Sequence, residues 1–187
     1  MTYVKENIQS TAKEPSSEEL LRRIATGDRE ALALLYRRES SSVYGYALSI
    51  LRNEEDAEDA LQDCSVSLWK NAGAYRGGSA RSYILKVVLN LARVRLRQRS
   101  RSVGPPDEER FEEIRDVDTP FRRLILKECL ASLDEDERQI VVLHAASGLK
   151  HREIAQITGL PLSTVLSKYN RSIKKLQAKF GKWEDLK

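Results

Sequence analysis

The chain has 187 residues, of which 32% are charged and only 6% aromatic, and its formal net charge is +4. This length and composition fit one medium domain or two small ones with modest apolar cores. No apolar run reaches bilayer length, the N-terminus lacks a signal-peptide core, and Cys64 and Cys129 have neither metal-ligand nor disulfide-framework spacing. We therefore exclude a membrane-spanning or disulfide-stabilised secreted protein and expect a soluble, cytoplasmic one with two free thiols.

The first helices are predicted from capping residues. Ser16, with Glu19 three residues later, predicts the start of a helix that Gly27 can end. Asp28 is expected to cap a second, longer helix whose apolar positions recur at helical spacing.

A third helix is predicted from about residue 54 to 71, because Asn53 marks a break and carboxylates follow it at once. After the loop AGAYRGGS, a fourth helix is predicted from about 80 to 99. The third helix is acidic, whereas residues 79–106 contain seven basic residues and no acid. This segregation indicates two kinds of partner, a polyanion and a basic protein surface.

The composition changes at residues 102–120, which carry prolines, seven acids and few apolar groups, as a linker does. Beyond it, four helices are predicted at about 121–131, 135–146, 151–157 and 162–179. The prediction is thus an all-α fold with two small helical domains joined by a flexible acidic linker. The predicted segments are a tail at 1–15, a domain at 16–101, the linker at 102–120 and a domain at 121–187.

Residues 151–176, HREIAQITGLPLSTVLSKYNRSIKKL, have the spacing of a helix-turn-helix, with a turn around Gly159. The second helix carries an apolar stripe at Val165, Tyr169, Ile173, Leu176 and Phe180, which predicts its buried face. The other face is predicted to contact duplex DNA through short polar groups near its start and basic groups further along. The predicted contacts are Ser163, Thr164, Ser167, Lys168, Arg171 and Lys175.

The helix-turn-helix at residues 151–176 resembles region 4 of bacterial sigma factors of the small, two-domain extracytoplasmic-function (ECF) group. The N-terminal half resembles region 2 of the same family in three segments. They are DAEDALQD at 56–63, YRGGS at 75–79 and NLARVRLRQRSR at 90–101. The resemblance implies a subunit without catalytic site, cofactor or metal that directs RNA polymerase to promoters.

The resemblance also implies partners and site residues. The region 2.2 helix would bind the core polymerase, on its β′ subunit, with further contacts to β. Residues implied in core binding are Glu55, Asp56, Asp59, Gln62 and Asp63. Region 2 would capture the melted −10 element through a loop and a basic helix. Residues implied in −10 DNA binding are Asn71, Tyr75, Arg76, Arg81, Lys86, Asn90, Arg93 and Arg97.

Other roles follow from the same resemblance. Region 4 would bind the −35 element, and an anti-sigma factor would be a further partner that can hold the protein at the membrane. Tyr75 can equally be a core residue that anchors the loop. The sequence departs from the family's usual residues at Ser65, Tyr83, Ile84, Val94 and Leu166, and the loop before region 2.4 is about one residue short.

Three alternatives remain open at this point. A helix-turn-helix regulator that never joins polymerase would leave DAEDALQD without a role. An enzyme or metal protein finds little support, because His144 and His151 are the only histidines and no phosphate loop or nucleophile motif occurs. An interaction module, such as a degenerate sigma relative, is the third.

The two promoter elements lie about 25 base pairs, or roughly 85 Å, apart. The linker extends by at most roughly 60–70 Å. Core polymerase must therefore hold the two domains in register, and we expect the acidic linker to lie in a basic channel of the polymerase.

Overall fold

A computed structural model describes residues 14–102 and 128–184, and every regular element within these ranges is helical. In chain order the elements are α1 (Ser17–Ala25), α2 (Arg29–Leu51), α3 (Glu54–Asn71), a 3-10 turn (Ala72–Ala74), α4 (Ala80–Ser102), α5 (Glu135–Ala145), α6 (His151–Thr158) and α7 (Leu162–Glu184). Residues 128–131 are also helical. The all-α prediction is confirmed. The predicted tail and linker fall almost entirely outside the described residues.

The predicted helix starts coincide with side-chain caps. The side chains of Ser16, Asp28 and Asn53 accept backbone N–H groups of α1, α2 and α3 at 3.2, 3.0 and 2.8 Å. Asp134 and Glu137 form a reciprocal capping box at the start of α5. Each such cap stabilises its helix by about 1 kcal/mol, so these boundaries are encoded locally.

The N-terminal module, α1 to α4, is a bundle in which α2 packs against the other three helices. Leu35 and Tyr46 of α2, Cys64 of α3, and Leu85 and Leu89 of α4 are all buried at its centre. Small residues such as Ala57 and Ala60 let α3 approach closely. The packing fixes which faces of α3 and α4 remain open to solvent.

The C-terminal module, residues 128–184, contains the predicted helix-turn-helix in α6 and α7. Gly159 ends α6 in the left-handed conformation, with φ of 80°, and donates its N–H to Ala155 O at 2.9 Å. A glycine adopts this conformation without steric cost, so the turn falls where the sequence places it. Ile154, Ile157 and Val165 are buried between the two helices.

Three rings pack at the junction of α5, α6 and α7. The imidazoles of His144 and His151 stack with centroids 4.4 Å apart, and the Tyr169 ring meets both edgewise at 4.7 and 4.8 Å. Desolvation and the neighbouring His144 lower the pKa of His151. These ring contacts place both histidines in the packing between the three helices. Among the described residues no cluster of metal-ligating side chains occurs.

The two modules share one buried apolar cluster. Helix α5 packs on α2 and helix α6 packs on α4. Leu143, Leu149 and Ile154 of the C-terminal module belong to the same cluster as Leu85 and Leu89 of α4. The modules predicted on either side of a tether are therefore in direct contact.

Burial should make both thiols unreactive. Cys64 and Cys129 are free and only 2% and 1% exposed, and desolvation raises the pKa of Cys64 to about 12 and that of Cys129 above its ordinary value. At pH 8 the Cys64 thiolate fraction is then about one in ten thousand. We expect iodoacetamide to label the native protein far more slowly than the urea-unfolded protein, as followed by mass spectrometry. A Cys64→Ser variant assigns the remaining rate to Cys129. Native labelling at the unfolded rate would contradict this burial.

Candidate polymerase- and nucleic-acid-binding surfaces

The solvent-facing start of α7 presents the short polar residues predicted for duplex contact. Ser163 and Ser167 are exposed and Thr164 is half-buried, with Ser167 donating its hydroxyl to Thr164 O at 3.0 Å. Arg171 is exposed one turn further on. Ser163, Ser167 and Arg171 are therefore accessible together, as a major-groove reader requires.

Two other residues predicted for −35 contact, Lys168 and Lys175, face α5. Lys168 Nζ lies 3.2 Å from carboxylate oxygens of both Asp134 and Asp136. Partial desolvation lowers the pKa of Lys168, but the bonds from Asp136 and Asp134 outweigh it and raise the pKa overall. Lys175 Nζ lies 2.6 Å from Glu137, whose side chain is fully buried. Both lysines thus neutralise acids at the start of α5.

The predicted −10 residues that lie on α4 fall into two groups, according to whether they bond other parts of the fold. Arg81 bonds Glu39 Oε2 at 2.9 Å and Ser147 O at 3.1 Å, and Lys86 bonds Gln156 O at 3.0 Å. Both are turned toward other parts of the fold. The remaining three residues are exposed along the same helix, and they are Asn90, Arg93 and Arg97.

The loop before α4 is held by its tyrosine. Tyr75 donates its hydroxyl to Gly78 O, and its ring lies 5.4 Å from that of Tyr83, which bonds Asn71 O at 3.1 Å. Tyr75 is half-buried, whereas Asn71 and Arg76 are exposed. Of the two roles left open for Tyr75, these contacts favour anchoring the loop.

The acidic face of α3 has a paired side and an open side. Arg95 of α4 bonds Asp59 at 3.2 Å and Asp63 at 2.6 Å, and it lies 3.9 Å from Asp56. Desolvation lowers the pKa of Arg95, but these carboxylates raise it overall, Asp63 first. Glu55 and Gln62 are exposed beside this cluster. We call the surface around Glu55 and Gln62 the open side of α3.

A cleft of about 470 Å³ runs between α2 and α3, next to Gln62. Its lining includes Leu32 and Tyr36, with Arg29 and Arg37 from α2. Tyr36 is 43% exposed and Val66 of α3 is 50% exposed, so the acidic edge of α3 borders an apolar surface.

No described helix is long and apolar enough to cross a membrane.

Sequence patterns did not identify Glu39 or Arg95 as organising residues. Glu39 lies one turn after buried Leu35 and one turn before buried Val43, so it is an acid within an apolar stripe. An acid at such a position predicts a cationic or hydrogen-bonding partner for the buried carboxylate, but the pattern does not say which residue. In the structure the partner is Arg81, whose side chain is half-buried. Arg95 was one arginine among many, and only the packing of α4 on α3 pairs it with acids.

Comparisons with known proteins agree with this geometry. The chain matches the family Sigma-70 region 2 over residues 35–102 and the family Sigma-70, region 4 over residues 123–176. The ECF RNA polymerase sigma factor SigK of Mycolicibacterium vanbaalenii is 30% identical over 175 residues, covering 87% of this chain and 88% of that protein.

Two solved structures share the fold. One is CnrH in complex with the cytosolic domain of CnrY, with a TM-score of 0.68, 23% identity and coverage of 89% of this chain and 98% of that one. The other is the sigma factor RpoE in complex with the anti-sigma factor NepR from Bartonella quintana, with a TM-score of 0.67, 21% identity and coverage of 82% and 96%. The chain belongs to the ECF family of RNA polymerase sigma factors, the promoter-directing subunits, as its motifs predicted.

Replacing Lys175 or Arg171 by alanine should change different properties of the protein, its stability in the first case and its promoter binding in the second. Lys175→Ala removes the partner of a buried carboxylate, and we expect a loss of about 1–2 kcal/mol in the free energy of unfolding. Arg171→Ala, the matched control one turn away, removes an exposed cation and should leave unfolding unchanged while weakening promoter binding. Urea unfolding and promoter-binding titrations measure the two effects. Equal destabilisation by both variants would contradict the assignment of Lys175 to the fold.

Proposed function

We propose that three separate surfaces of this sigma factor perform the steps of promoter recognition. The open side of α3 binds the core polymerase, the solvent-facing half of α4 and the loop before it bind the melted −10 element, and the start of α7 binds the −35 duplex. What carries the proposal is that acidic, basic and short polar groups are exposed on three different helices.

For core binding, Glu55 and Gln62 make the first contacts, because they are exposed while Asp56, Asp59 and Asp63 are engaged with Arg95. The three aspartates keep the face acidic and hold α3 against α4. The neighbouring apolar surface around Val66 adds burial that an acidic helix alone lacks.

For −10 binding, Asn90, Arg93 and Arg97 of α4 contact the single strand, and Asn71 and Arg76 contribute from the loop. Basic groups along one helix bind the backbone, and base capture then stabilises the melted state at an unstacking cost of a few kcal/mol per base. Tyr75 shapes the loop by anchoring it. The chain performs no bond chemistry of its own.

For −35 binding, Ser163, Thr164 and Ser167 face the base edges and Arg171 a phosphate. Lys168 and Lys175, which are bonded to acids of α5, hold α7 in position for these contacts. We further propose a cytoplasmic protein with an anti-sigma partner, since CnrH and RpoE were solved with CnrY and with the anti-sigma factor NepR.

Run-off transcription with purified core polymerase and a genomic promoter library tests the function directly. We expect specific start sites only when the chain is added. Binding of promoter DNA without any binding to core polymerase would instead favour a helix-turn-helix regulator. Neither product nor core binding would overturn the proposal.

A charge reversal at Glu55 should separate core binding from folding. Glu55→Lys places a cation on the open side of α3, and we expect the affinity for core polymerase to fall tenfold or more. Glu19→Lys is the matched control, because Glu19 is also an exposed acid in the first turn of a helix, α1. Titration of labelled core polymerase gives the affinities, and urea unfolding checks the fold. Equal loss of affinity in both variants would count against an α3 docking surface.

A further inference from the structure

Helix α7 presents a large apolar side chain to solvent. Leu166 is 41% exposed, whereas its neighbour Val165 is fully buried. Among the described large hydrophobic residues, it is the only exposed one in the C-terminal module. Single apolar residues are common on protein surfaces, so what matters is where on α7 this one lies.

Leu166 lies in the middle of the face that is proposed to meet the −35 duplex. Residues three and four positions apart lie on the same face of an α-helix. Ser163, Ser167 and Asn170 stand at these spacings from Leu166, and all three are exposed. Arg171 continues the same face one turn after Ser167. The leucine is therefore flanked on its own helix by groups that can contact DNA.

The start of α7 offers no unbonded cation for contact with a base. Lys168 is the only basic residue at positions 162–170. Its Nζ lies 3.2 Å from carboxylate oxygens of both Asp134 and Asp136, so it is bonded to α5 and the loop before it. The commonest specific contact to guanine comes from an arginine or a lysine. Neutral groups must therefore make the base contacts at the start of this helix.

The chemistry of a leucine side chain selects thymine among the four bases. Leu166 has no hydrogen-bond donor or acceptor, and the C5-methyl of thymine is the apolar group that base pairs present in the major groove. Contact between the two removes apolar surface from water, which is favourable. Against the edge of a G·C pair, the same leucine would cover polar groups without bonding them, which is unfavourable.

The hydroxyl of Ser167, next to Leu166, favours the same base pair. It donates to Thr164 O at 3.0 Å, so its oxygen is left to accept a hydrogen bond from a base. The major-groove donors are the amino groups of adenine and cytosine. A T·A pair presents both such a donor and a methyl group, whereas a G·C pair has no methyl group there.

We propose that Leu166 is a specificity-determining residue of this sigma factor, which reads the 5-methyl group of one thymine in the −35 element. This inference rests on the proposed function, since it assigns a base to the surface proposed there. The element then contains a T·A pair at the position that Leu166 contacts. Loss of that methyl group lowers the affinity about fourfold, the effect of exposing one buried methylene-sized group.

Deoxyuridine tests the contact directly, because it lacks the methyl group of thymine and keeps the rest of the base pair. The probes are promoter duplexes recovered in run-off transcription, with each thymine of the −35 element replaced singly on either strand. We expect the affinity of the holoenzyme, this chain bound to core polymerase, to fall about fourfold at one thymine. Leu166→Ala should bind the thymine duplex about as weakly as the wild type binds the uracil duplex, and should no longer distinguish the two.

Arg171→Ala is the matched control on the same face of α7. Loss of a phosphate contact weakens binding to all sequences alike, so R171A should lower the affinity for both duplexes and keep the fourfold ratio. Leu166→Lys tests a change of specificity, because its ammonium can donate to guanine O6 and N7. Selection from duplexes randomised at the −35 element should then shift this position from T·A to G·C. Urea unfolding verifies that each variant is folded.

Three results would overturn the inference. The first is that no single deoxyuridine lowers the affinity of the wild-type holoenzyme. The second is an unchanged uracil effect in L166A, which would assign the methyl contact to another residue. The third is selection of T·A by L166K at the same position.

Failure of the proposed function would look different, since no complex with core polymerase would then form. Titration of the chain alone with genomic duplexes would still show whether Leu166 distinguishes thymine from uracil. If the chain bound no duplex at all, both the proposed function and this inference would be overturned.

Discussion

The apolar cluster that α2 and α4 share with α5 and α6 organises the whole molecule. Each module is small and strongly charged, so each has little apolar surface with which to build a core of its own. Packing them together places Leu149 and Ile154 in one buried apolar cluster with Leu85 and Leu89. The same contact determines which parts of α4 and α7 remain open, and therefore which binding groups are available before any partner arrives.

Charge is the second organising feature, and much of it is used internally. Arg95 bonds acids of α3, Lys175 bonds Glu137, and Arg81 bonds the buried Glu39, to which Ser17 also donates at 2.9 Å. Buried or half-buried pairs of this kind position helices because an unpaired buried charge is costly. The exposed groups left over, such as Glu55 and Arg93, are those that can meet another macromolecule.

The sequence predicted the features that depend on neighbouring residues. Caps at Ser16, Asp28 and Asn53 and the turn at Gly159 were identified because they require specific residue types within a few positions. The inward direction of Lys168 and the partners of Arg95 were not, since they arise from residues more than thirty positions away. Motif resemblance identified the family and suggested the proposed binding surfaces, but periodicity could not separate an exposed lysine from one bonded to the next helix.

The bonds between α4 and the C-terminal module also bear on how such proteins diversify. Ser82 and Glu153 lie 71 residues apart in sequence, yet a change in one alters the fit of the other. Exchanging the C-terminal module between relatives, with a junction in the linker, would combine an α4 face and an α6 face that were never selected together. Such chimeras would bring unmatched side chains together at this contact. Matching the residues at this interface is therefore a requirement for building orthogonal regulators from parts of different sigma factors.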